Sequence, residues 1–206
     1  MCAGLGGPAR YLAHCYGAFA TGVELTPARV AGASELIRRV GLNRQVQMIE
    51  ANVTALPLPD QSQDAVVSQE ALFHVPDLAR AFGEAHRVLR PGGRFAFADW
   101  IAHKPLSAAD EQLLRDSTAA ATLINIDQHA ELLRGAGFEI ESIEDETDRW
   151  ALFSPSACIC TRSCAARPSS PPHRLATTTL QILRAVRQSD ATEGHGWRQI
   201  AAVKPA

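Results

Sequence analysis

The stretch Ala3-Gly4-Leu5-Gly6-Gly7-Pro8-Ala9-Arg10 decides the fold, because it has the pattern of a glycine turn that runs directly into a helix. Gly4 and Gly6 have no Cβ, so the backbone can take positive φ angles and a ligand can approach it closely. Pro8 suits the first turn of a helix, where its missing N–H costs nothing. The free N–H groups of a helix start suit a carboxylate or a phosphate. The stretch predicts an anion-binding turn, and a tight turn without a ligand is the alternative.

An acidic residue follows this turn at the spacing that nucleotide-binding folds use. Glu24 lies 18 positions after Gly6, at the end of the apolar segment 18–23. In such folds a carboxylate about 20 residues beyond the glycine loop accepts hydrogen bonds from ribose hydroxyls. The spacing favours this interpretation of Glu24 over the alternative of a solvated strand end.

Short apolar segments alternate with helical patterns through the first hundred residues. This alternation predicts a doubly wound α/β fold with a mostly parallel sheet and right-handed crossovers. The predicted strands are 18–23, 46–49, 64–68 and 94–98, and the predicted helices are 8–16, 27–40 and 76–89. Further along the chain we predict helices beginning near 107, over 129–134 and over 178–188, and strands over 138–143 and 197–203.

The bulk properties describe a chain of 206 residues, which is long enough for one domain with a sizeable core. Its 20 basic and 22 acidic residues give a net charge of −2, which argues against a dedicated nucleic-acid-binding protein. No apolar run is long enough to span a bilayer, and no signal-peptide pattern is visible. We therefore expect a cytoplasmic protein with no membrane and no nucleic-acid partner, and the oligomeric state stays open.

The cysteines give a weak metal signal. The chain has five, an odd number without the spacing of a disulfide framework. Cys158, Cys160 and Cys164 are not spaced as a standard zinc pair, and a tetrahedral site needs a fourth ligand such as His173. We therefore predict no metal site and an unstructured segment there.

Several motifs follow the glycine turn in a fixed order, and together they indicate a family. They are Gly22-Val23-Glu24-Leu25, Glu50-Ala51-Asn52, Leu56-Pro57-Leu58-Pro59-Asp60, Asp64-Ala65-Val66-Val67-Ser68-Gln69-Glu70 and Leu89-Arg90-Pro91-Gly92-Gly93-Arg94. In this order the chain resembles the class I S-adenosylmethionine-dependent methyltransferases over about residues 1–150. The turn and the segment 69–77 are most similar to the sarcosine/dimethylglycine N-methyltransferase group.

The resemblance implies a Rossmann-like methyltransferase fold with S-adenosylmethionine as cofactor. It implies a cofactor-binding domain over 1–150. The residues themselves predict an irregular segment over 151–174, for which disorder is one interpretation because it is rich in Ser, Pro, Arg and Cys. A helix and a strand within 175–206 would complete the same domain. In the family a strand ending in an acidic residue and a glycine precedes the turn. Met1 and Cys2 stand at the positions before the turn, so we expect the sheet to lack its first central strand.

The resemblance also implies roles for individual residues in cofactor binding. Gly4 and Gly6 would lie under the methionyl part of S-adenosylmethionine, and the helix start would favour its carboxylate. Glu24 would accept hydrogen bonds from both ribose hydroxyls, which suits a carboxylate with two oxygens. Leu25 would pack on the adenine.

Two further residues complete the expected cofactor site. Asn52 would hydrogen-bond the adenine amino group, and the alternative is an ordinary loop asparagine after a strand. Gln69 ends a predicted strand and would line the cofactor pocket, because ligands of parallel sheets bind beyond the carboxyl ends of strands. A merely polar strand end is the alternative for Gln69.

The acceptor side of the expected site follows the next two strands. His74 lies in the loop after the strand 64–68, and we predict that it acts as a base toward an ammonium acceptor. A structural histidine before a helix is the alternative. Glu70, Asp99 and Trp100 are the candidates for contact with the substrate, since an aromatic face attracts a cationic amine. Trp100 is equally well explained as a packing residue.

The predicted reaction is methyl transfer from S-adenosylmethionine to a small-molecule acceptor. The resemblance favours an amine nitrogen, as in sarcosine or dimethylglycine, and an oxygen or carbon acceptor is the second choice. A nicotinamide-dependent oxidoreductase is a rival, although the turn lacks the full G-x-G-x-x-G pattern. An inactive cofactor-binding remnant is the rival from outside the enzymes.

Overall fold

The computed structural model describes residues 1–102, 105–144 and 200–205. The elements in chain order are α1 (Gly7–Tyr16), β1 (Ala20–Glu24), α2 (Pro27–Arg39), β2 (Val46–Glu50), β3 (Gln63–Gln69), a 3₁₀ turn (Leu72–His74), α3 (Leu78–Val88), β4 (Leu89–Ala98), α4 (Ala108–Thr118), α5 (Ile126–Gly135), β5 (Glu139–Ser142) and β6 (Ile200–Val203). Helices and parallel strands are mixed along the chain, and only β2 and β3 follow each other without an intervening helix up to the fourth strand, which confirms the predicted α/β class.

The strands form two groups. β1 pairs with β2 in parallel, and β3 pairs with β4 in parallel. β6 lies between β4 and β5 and is antiparallel to both, so the larger sheet has the order β3-β4-β6-β5. The carboxyl ends of β1, β2, β3 and β4 lead into the loops that carry the predicted site, as expected of a parallel α/β sheet.

The residues before the glycine turn connect the two groups. The Ala3 N–H donates to the Val23 carbonyl of β1 at 2.8 Å, and the Met1 amine donates to the Val67 carbonyl of β3 at 2.7 Å. Among the described residues no strand lies between β1 and β3, as the sequence predicts. This short bridge therefore holds the glycine turn at the junction of β1 and β3.

The core is built on three phenylalanines from neighbouring elements. Phe82 of α3 packs against Phe95 and Phe97 of β4, with ring centroids 5.5 Å apart in both pairs. All three side chains are fully buried. Apolar residues at helical spacing on α3 supply most of the facing surface, which follows from the stripe visible in the sequence. The core thereby fixes α3 against β4.

Several predicted boundaries are wrong by a few residues. β1 begins at Ala20 rather than at residue 18, because Gly17 ends α1 in the left-handed region and Phe19 is 84% exposed. α3 begins after Asp77, whose side chain accepts the Arg80 N–H at 2.9 Å. β4 begins already at Leu89, although the sequence predicted a strand only from residue 94.

The start of α5 is also earlier than predicted. Asn125 and Gln128 form a reciprocal capping box, so the helix begins at Ile126 and not at His129. The predicted start of α4 near residue 107 is confirmed, because Ser107 is its N-cap and the Ser107 hydroxyl accepts the Asp110 N–H at 3.2 Å. Thr26 stands at the N-cap of α2 without a side-chain capping bond. The predicted irregular segment 154–173 and the helix 178–188 lie outside the described residues, as do Cys158, Cys160, Cys164 and His173.

None of the helices in the described part of the chain combines the length and the apolarity that a membrane crossing requires.

Candidate functional site

The glycine turn has the backbone geometry that its sequence predicts. Gly4 and Gly6 have φ angles of 53° and 72°, and the Gly6 N–H donates to the Ala3 carbonyl at 2.7 Å. A Cβ on Gly6 would lie 3.3 Å from the Met48 sulfur, whereas a Cβ on Gly4 would meet nothing within 4 Å. Gly6 is thus packed against Met48, whereas the space beside the Gly4 Cα is open. The Arg10 guanidinium donates to the Leu5 carbonyl and closes the turn.

Glu24 lies directly against this turn. Its Oε2 accepts the Gly4 N–H at 2.9 Å and its Oε1 accepts the Thr26 N–H at 3.1 Å. The residue is 5% exposed, and the Arg29 guanidinium is 3.8 Å from Oε1. A carboxylate oxygen has two lone-pair sites, so each oxygen retains acceptor capacity beyond its one backbone bond. The carboxylate and the glycine turn therefore form one continuous feature at the end of β1.

The ionisation of Glu24 is set by opposing effects. Burial raises its pKa, but hydrogen bonds from Gly4 and Thr26 and the charge of Arg29 lower it by more. The net result is a pKa below the ordinary glutamate value. Glu24 is therefore an ionised acceptor at neutral pH.

Leu25 stands next to this carboxylate and is 65% exposed. Leu5, within the glycine turn, is also exposed, and its Cδ2 is 3.3 Å from the Cβ position of Gly32 on α2. Two exposed leucines beside an ionised carboxylate give an apolar rim next to a polar group. This arrangement is suited to the flat apolar face of a nucleoside.

Asn52 follows β2 and forms an Asx turn. Its Oδ1 accepts the Thr54 N–H at 3.0 Å, and its side chain is exposed. This hydrogen bond supports the alternative that Asn52 is an ordinary loop asparagine. The bond uses one lone pair of the oxygen, so it does not exclude a second partner.

Gln69 and Glu70 lie where β3 ends. Gln69 is exposed and pairs in register with Ala98 of β4. Glu70 has a φ of 48°, which is uncommon for a residue with a side chain, and its N–H donates to the Ala98 carbonyl at 2.7 Å. This left-handed residue turns the chain away from the sheet, so that the following 3₁₀ turn lies over the end of β4.

His74 ends that 3₁₀ turn and is exposed. Its Nδ1 is 3.1 Å from the Ala119 carbonyl oxygen. A carbonyl only accepts, so we assign the proton to Nδ1, which leaves the Nε2 lone pair as the basic site. His74 is therefore oriented by one hydrogen bond and keeps a nitrogen that can take a proton.

Trp100 is largely a packing residue in this structure. Its ring stacks on Phe73 with centroids 5.0 Å apart and planes 16° apart. The pair belongs to a small apolar cluster with Leu114 of α4 and with Ala120, which follows that helix. Stacking covers one ring face, so any cationic partner of Trp100 needs the other.

Asp99 is fully buried, and burial leaves it without the surface that the predicted substrate contact requires. Its Oδ2 accepts the Phe73 N–H at 3.0 Å and its Oδ1 accepts the Trp100 N–H at 2.8 Å. Burial raises the pKa of Asp99 to about 7, against the opposing effect of hydrogen bonds from the backbone N–H groups. The negative charge of Glu70 acts in the same direction as burial. Asp99 therefore ties the 3₁₀ turn to the end of β4 from inside the core.

The burial of Asp99 predicts a pH-dependent stability. Its pKa rises from 3.8 to about 7 on folding, so the folded chain keeps a proton that the unfolded chain has released. Its contribution is greatest at low pH and is lost as pH rises from about 4 to about 7. We expect the free energy of unfolding of the wild type to fall, relative to Asp99→Asn, between about pH 4 and about pH 7. Urea unfolding at several pH values measures this, and parallel curves for the two proteins would contradict it.

The structure brings most predicted site residues to one edge of the fold. Gly4 donates directly to Glu24, Gly6 lies in the same turn, and the remaining candidates lie at or after the ends of β1, β2, β3 and β4. Arg29 beside Glu24 was missed, although its place one turn into α2 made it a candidate partner of that carboxylate. The inward role of Asp99 was also missed, because sequence alone does not show which way a strand-end carboxylate turns.

Comparison with known proteins agrees with this geometry. A family profile for the methyltransferase domain matches residues 1–97. The sarcosine/dimethylglycine N-methyltransferase of Halorhodospira halochloris is 33% identical over 147 residues, which is 71% of this chain and 53% of that protein. The sterol 24-C-methyltransferase erg-4 of Neurospora crassa is 30% identical over 156 residues, 71% of this chain and 40% of that protein.

A third relative is named for a different methyl acceptor from the first two. The 27-O-demethylrifamycin SV methyltransferase of Amycolatopsis mediterranei is 32% identical over 145 residues, 69% of this chain and 53% of that protein. The chain thus spans about half the length of the curated relatives it matches, or less.

A solved structure supports the fold assignment. The Haemonchus contortus phosphoethanolamine N-methyltransferase 2, in complex with S-adenosyl-L-methionine, superposes with a TM-score of 0.72 at 21% identity. The match covers 100% of this chain and 47% of that one. Sequence motifs, fold and relatives agree that residues 1–97 form a methyltransferase domain of the class I S-adenosylmethionine-dependent type.

Proposed function

We propose that this chain binds S-adenosylmethionine across the glycine turn and Glu24 and transfers its methyl group to the nitrogen of a small amine. The observation that carries the proposal is the 2.9 Å hydrogen bond between the Gly4 N–H and Glu24 Oε2. It joins the anion-binding turn and the ribose-type carboxylate at the edge where parallel sheets bind ligands. A sarcosine- or dimethylglycine-like acceptor is the first choice, by resemblance to the relatives.

The residues around the turn fit this cofactor. Gly4 is open on its outer side, and the start of α1 directs free N–H groups and a partial positive charge there, which suits the cofactor carboxylate. Glu24 is ionised and keeps lone pairs, so it can accept from two ribose hydroxyls. Leu25 supplies the exposed apolar surface for the adenine.

Two loop residues complete the proposed cofactor site. Asn52 retains acceptor capacity on Oδ1 and would contact the adenine amino group. Gln69, exposed at the end of β3, would line the pocket between the turn and the acceptor. Both proposals follow from the positions of these residues at the carboxyl ends of parallel strands.

When bound, S-adenosylmethionine supplies a methyl group on a positively charged sulfur. An ammonium acceptor must first lose a proton to expose its lone pair, and the Nε2 atom of His74 would take it, since Nδ1 is bonded to the Ala119 carbonyl. The nitrogen–carbon bond then forms as the sulfur–carbon bond breaks, and S-adenosylhomocysteine remains. The Glu70 carboxylate and the Trp100 ring would attract the cationic acceptor. Much of the rate enhancement would come from holding the two reactants in line.

An oxygen or carbon acceptor is the second candidate. The relatives include a sterol C-methyltransferase and a rifamycin O-methyltransferase at nearly the same identity as the amine N-methyltransferase. A hydroxyl acceptor also needs a base, so His74 would have the same role there.

The test combines binding with turnover. Calorimetric titration of the chain with S-adenosylhomocysteine and with NAD separates the two cofactor classes. Methyl transfer from labelled S-adenosylmethionine is then followed with sarcosine, dimethylglycine and a matched alcohol. We expect S-adenosylhomocysteine binding, labelled amine product, and a loss of turnover on the order of 100-fold in His74→Gln with unchanged S-adenosylhomocysteine affinity.

Each alternative has its own outcome. Binding of NAD without S-adenosylhomocysteine would favour the oxidoreductase. S-adenosylhomocysteine binding without any methylated product from the panel would favour the cofactor-binding remnant. Methylated product from the alcohol alone would mean that the acceptor atom is oxygen and not nitrogen.

A further inference from the structure

We infer that three residues of α3 form a clamp that positions Asn52 for cofactor binding. The clamp consists of Arg80, Glu84 and Arg87, and it holds the Asn52 loop, which we define as residues 51–60. The inference rests on the proposed role of Asn52 and assigns a function to charged residues that do not themselves reach the cofactor.

Of the three clamp residues, Arg87 makes the most hydrogen bonds to the Asn52 loop. One guanidinium nitrogen, Nη1, donates to the Leu58 carbonyl at 2.8 Å and to Asp60 Oδ1 at 2.6 Å. The other, Nη2, donates to the Leu56 carbonyl at 2.9 Å. A planar guanidinium with five donors can make all these bonds at once, which a lysine ammonium cannot do in the same geometry. Arg87 therefore fixes the second half of the Asn52 loop at several points.

Glu84 holds both Arg87 and the loop. Its Oε1 accepts from Arg87 Nε at 2.7 Å, and its Oε2 accepts from Arg87 Nη2 at 2.8 Å. The same Oε2 accepts the Leu56 N–H at 2.6 Å. Hydrogen bonding from Arg87 keeps the pKa of Glu84 below its ordinary value. Leu56 is thus held through its N–H by Glu84 and through its carbonyl by Arg87.

Arg80 connects the clamp to Asn52. Its Nε donates to the Thr54 carbonyl at 2.9 Å. The Thr54 N–H in turn donates to Asn52 Oδ1 at 3.0 Å, and the Ala55 N–H donates to the Asn52 carbonyl at 3.0 Å. Thr54 is thus held by Arg80 through its carbonyl and bonded to Asn52 through its N–H. A movement of the Thr54 backbone therefore changes the orientation of the Asn52 side chain.

The loop needs such support because it has little regular structure of its own. It contains Pro57 and Pro59, and only Val53 and Leu56 among its side chains are buried. Without the clamp the loop would have to lose conformational freedom when the cofactor binds, and affinity would fall accordingly. The clamp restricts the loop before the cofactor binds, so binding itself costs less conformational entropy.

The test is calorimetric titration with S-adenosylhomocysteine. We expect Arg87→Lys to weaken binding by about 5- to 10-fold, and Arg80→Ala by about 3-fold, because preorganisation and not contact is lost. Arg38→Ala is the matched control: it removes an exposed bidentate ion pair to Glu35 on α2, far in sequence from the Asn52 loop, and binding should stay unchanged. Arg80→Ala removes a single surface hydrogen bond, so it keeps the test valid should Arg87→Lys fail to fold.

A double-mutant cycle with Asn52→Ala separates positioning from general stability. If the clamp acts through Asn52, Arg80→Ala and Arg87→Lys should cause no further loss of affinity in the Asn52→Ala background. Fold-losses that multiply independently would overturn the inference, as would wild-type affinity in Asn52→Ala. Failure of the wild-type chain to bind S-adenosylhomocysteine would instead overturn the proposed function, so the two failures are distinguishable.

Discussion

Glu24→Gln is expected to weaken S-adenosylhomocysteine binding by about 100-fold, since two charge-assisted hydrogen bonds to ribose hydroxyls would be lost or weakened. The folded chain already uses both Glu24 oxygens to accept the N–H groups of Gly4 and Thr26. A glutamine has only one oxygen, so its NH₂ group would face one of these N–H donors. The substitution therefore removes negative charge and also disturbs the contact between β1 and the glycine turn.

Calorimetry of both proteins measures the loss. Glu35→Gln is the control, because it removes the same charge from an exposed carboxylate on α2 that pairs only with Arg38 and Arg39 in the described structure. Its affinity should match the wild type. Equal affinities for Glu24→Gln and Glu35→Gln would mean that the carboxylate after β1 does not contact the cofactor.

Phe82→Ala is expected to have the largest effect on stability, with a loss of about 3–5 kcal/mol in the free energy of unfolding. Phe82 is fully buried between α3 and β4, where its ring meets Phe95 edge-on and Phe97 at a tilt. Truncation leaves a cavity that these rigid rings cannot fill by small shifts. Domains of this size have a total stability of about 5–15 kcal/mol, so much of it would be lost.

Urea unfolding followed by circular dichroism measures this loss. Phe19→Ala is the matched control, because the same atoms are removed from a side chain that is 84% exposed. Its effect should stay within about 0.5 kcal/mol. Similar losses in both variants would mean that the Phe82 ring does not anchor α3. Since α3 also carries Arg80, Glu84 and Arg87, we expect Phe82→Ala to weaken S-adenosylhomocysteine binding as well.

The fold was largely predictable because its signals are local. The stripe on α3 and the buried segment within β3 gave element type and order directly. Boundaries were less predictable where two signals competed. Gly92 and Gly93 indicated a loop, yet β4 begins at Leu89 because Leu89 pairs with Gln63 of β3, and the register then shifts so that Arg94 pairs with Ala65. The start of α5 was readable from Asn125 and Gln128, but it was not recognised.

The cofactor side was predictable for a similar reason. The glycine turn and Glu24 need only a turn–helix–strand order and a fixed spacing to meet, so the contact between Gly4 and Glu24 follows from chain connectivity. The acceptor side was less predictable, since His74, Asp99 and Trp100 depend on how separate loops pack. The roles of His74 as a base and of Trp100 as a substrate contact stay proposals, whereas Asp99 is buried and was wrongly predicted to contact the substrate.

By itself, the sequence determined the α/β class, the glycine turn and the carboxylate that faces it, because backbone freedom and hydrophobic period act over a few residues. Only the tertiary structure decided that Asp99 turns inward, that Trp100 stacks on Phe73, and that Arg87 grips a loop nearly thirty residues earlier in the chain. These outcomes depend on which elements pack together. Long-range packing balances desolvation against hydrogen bonds that no local pattern encodes.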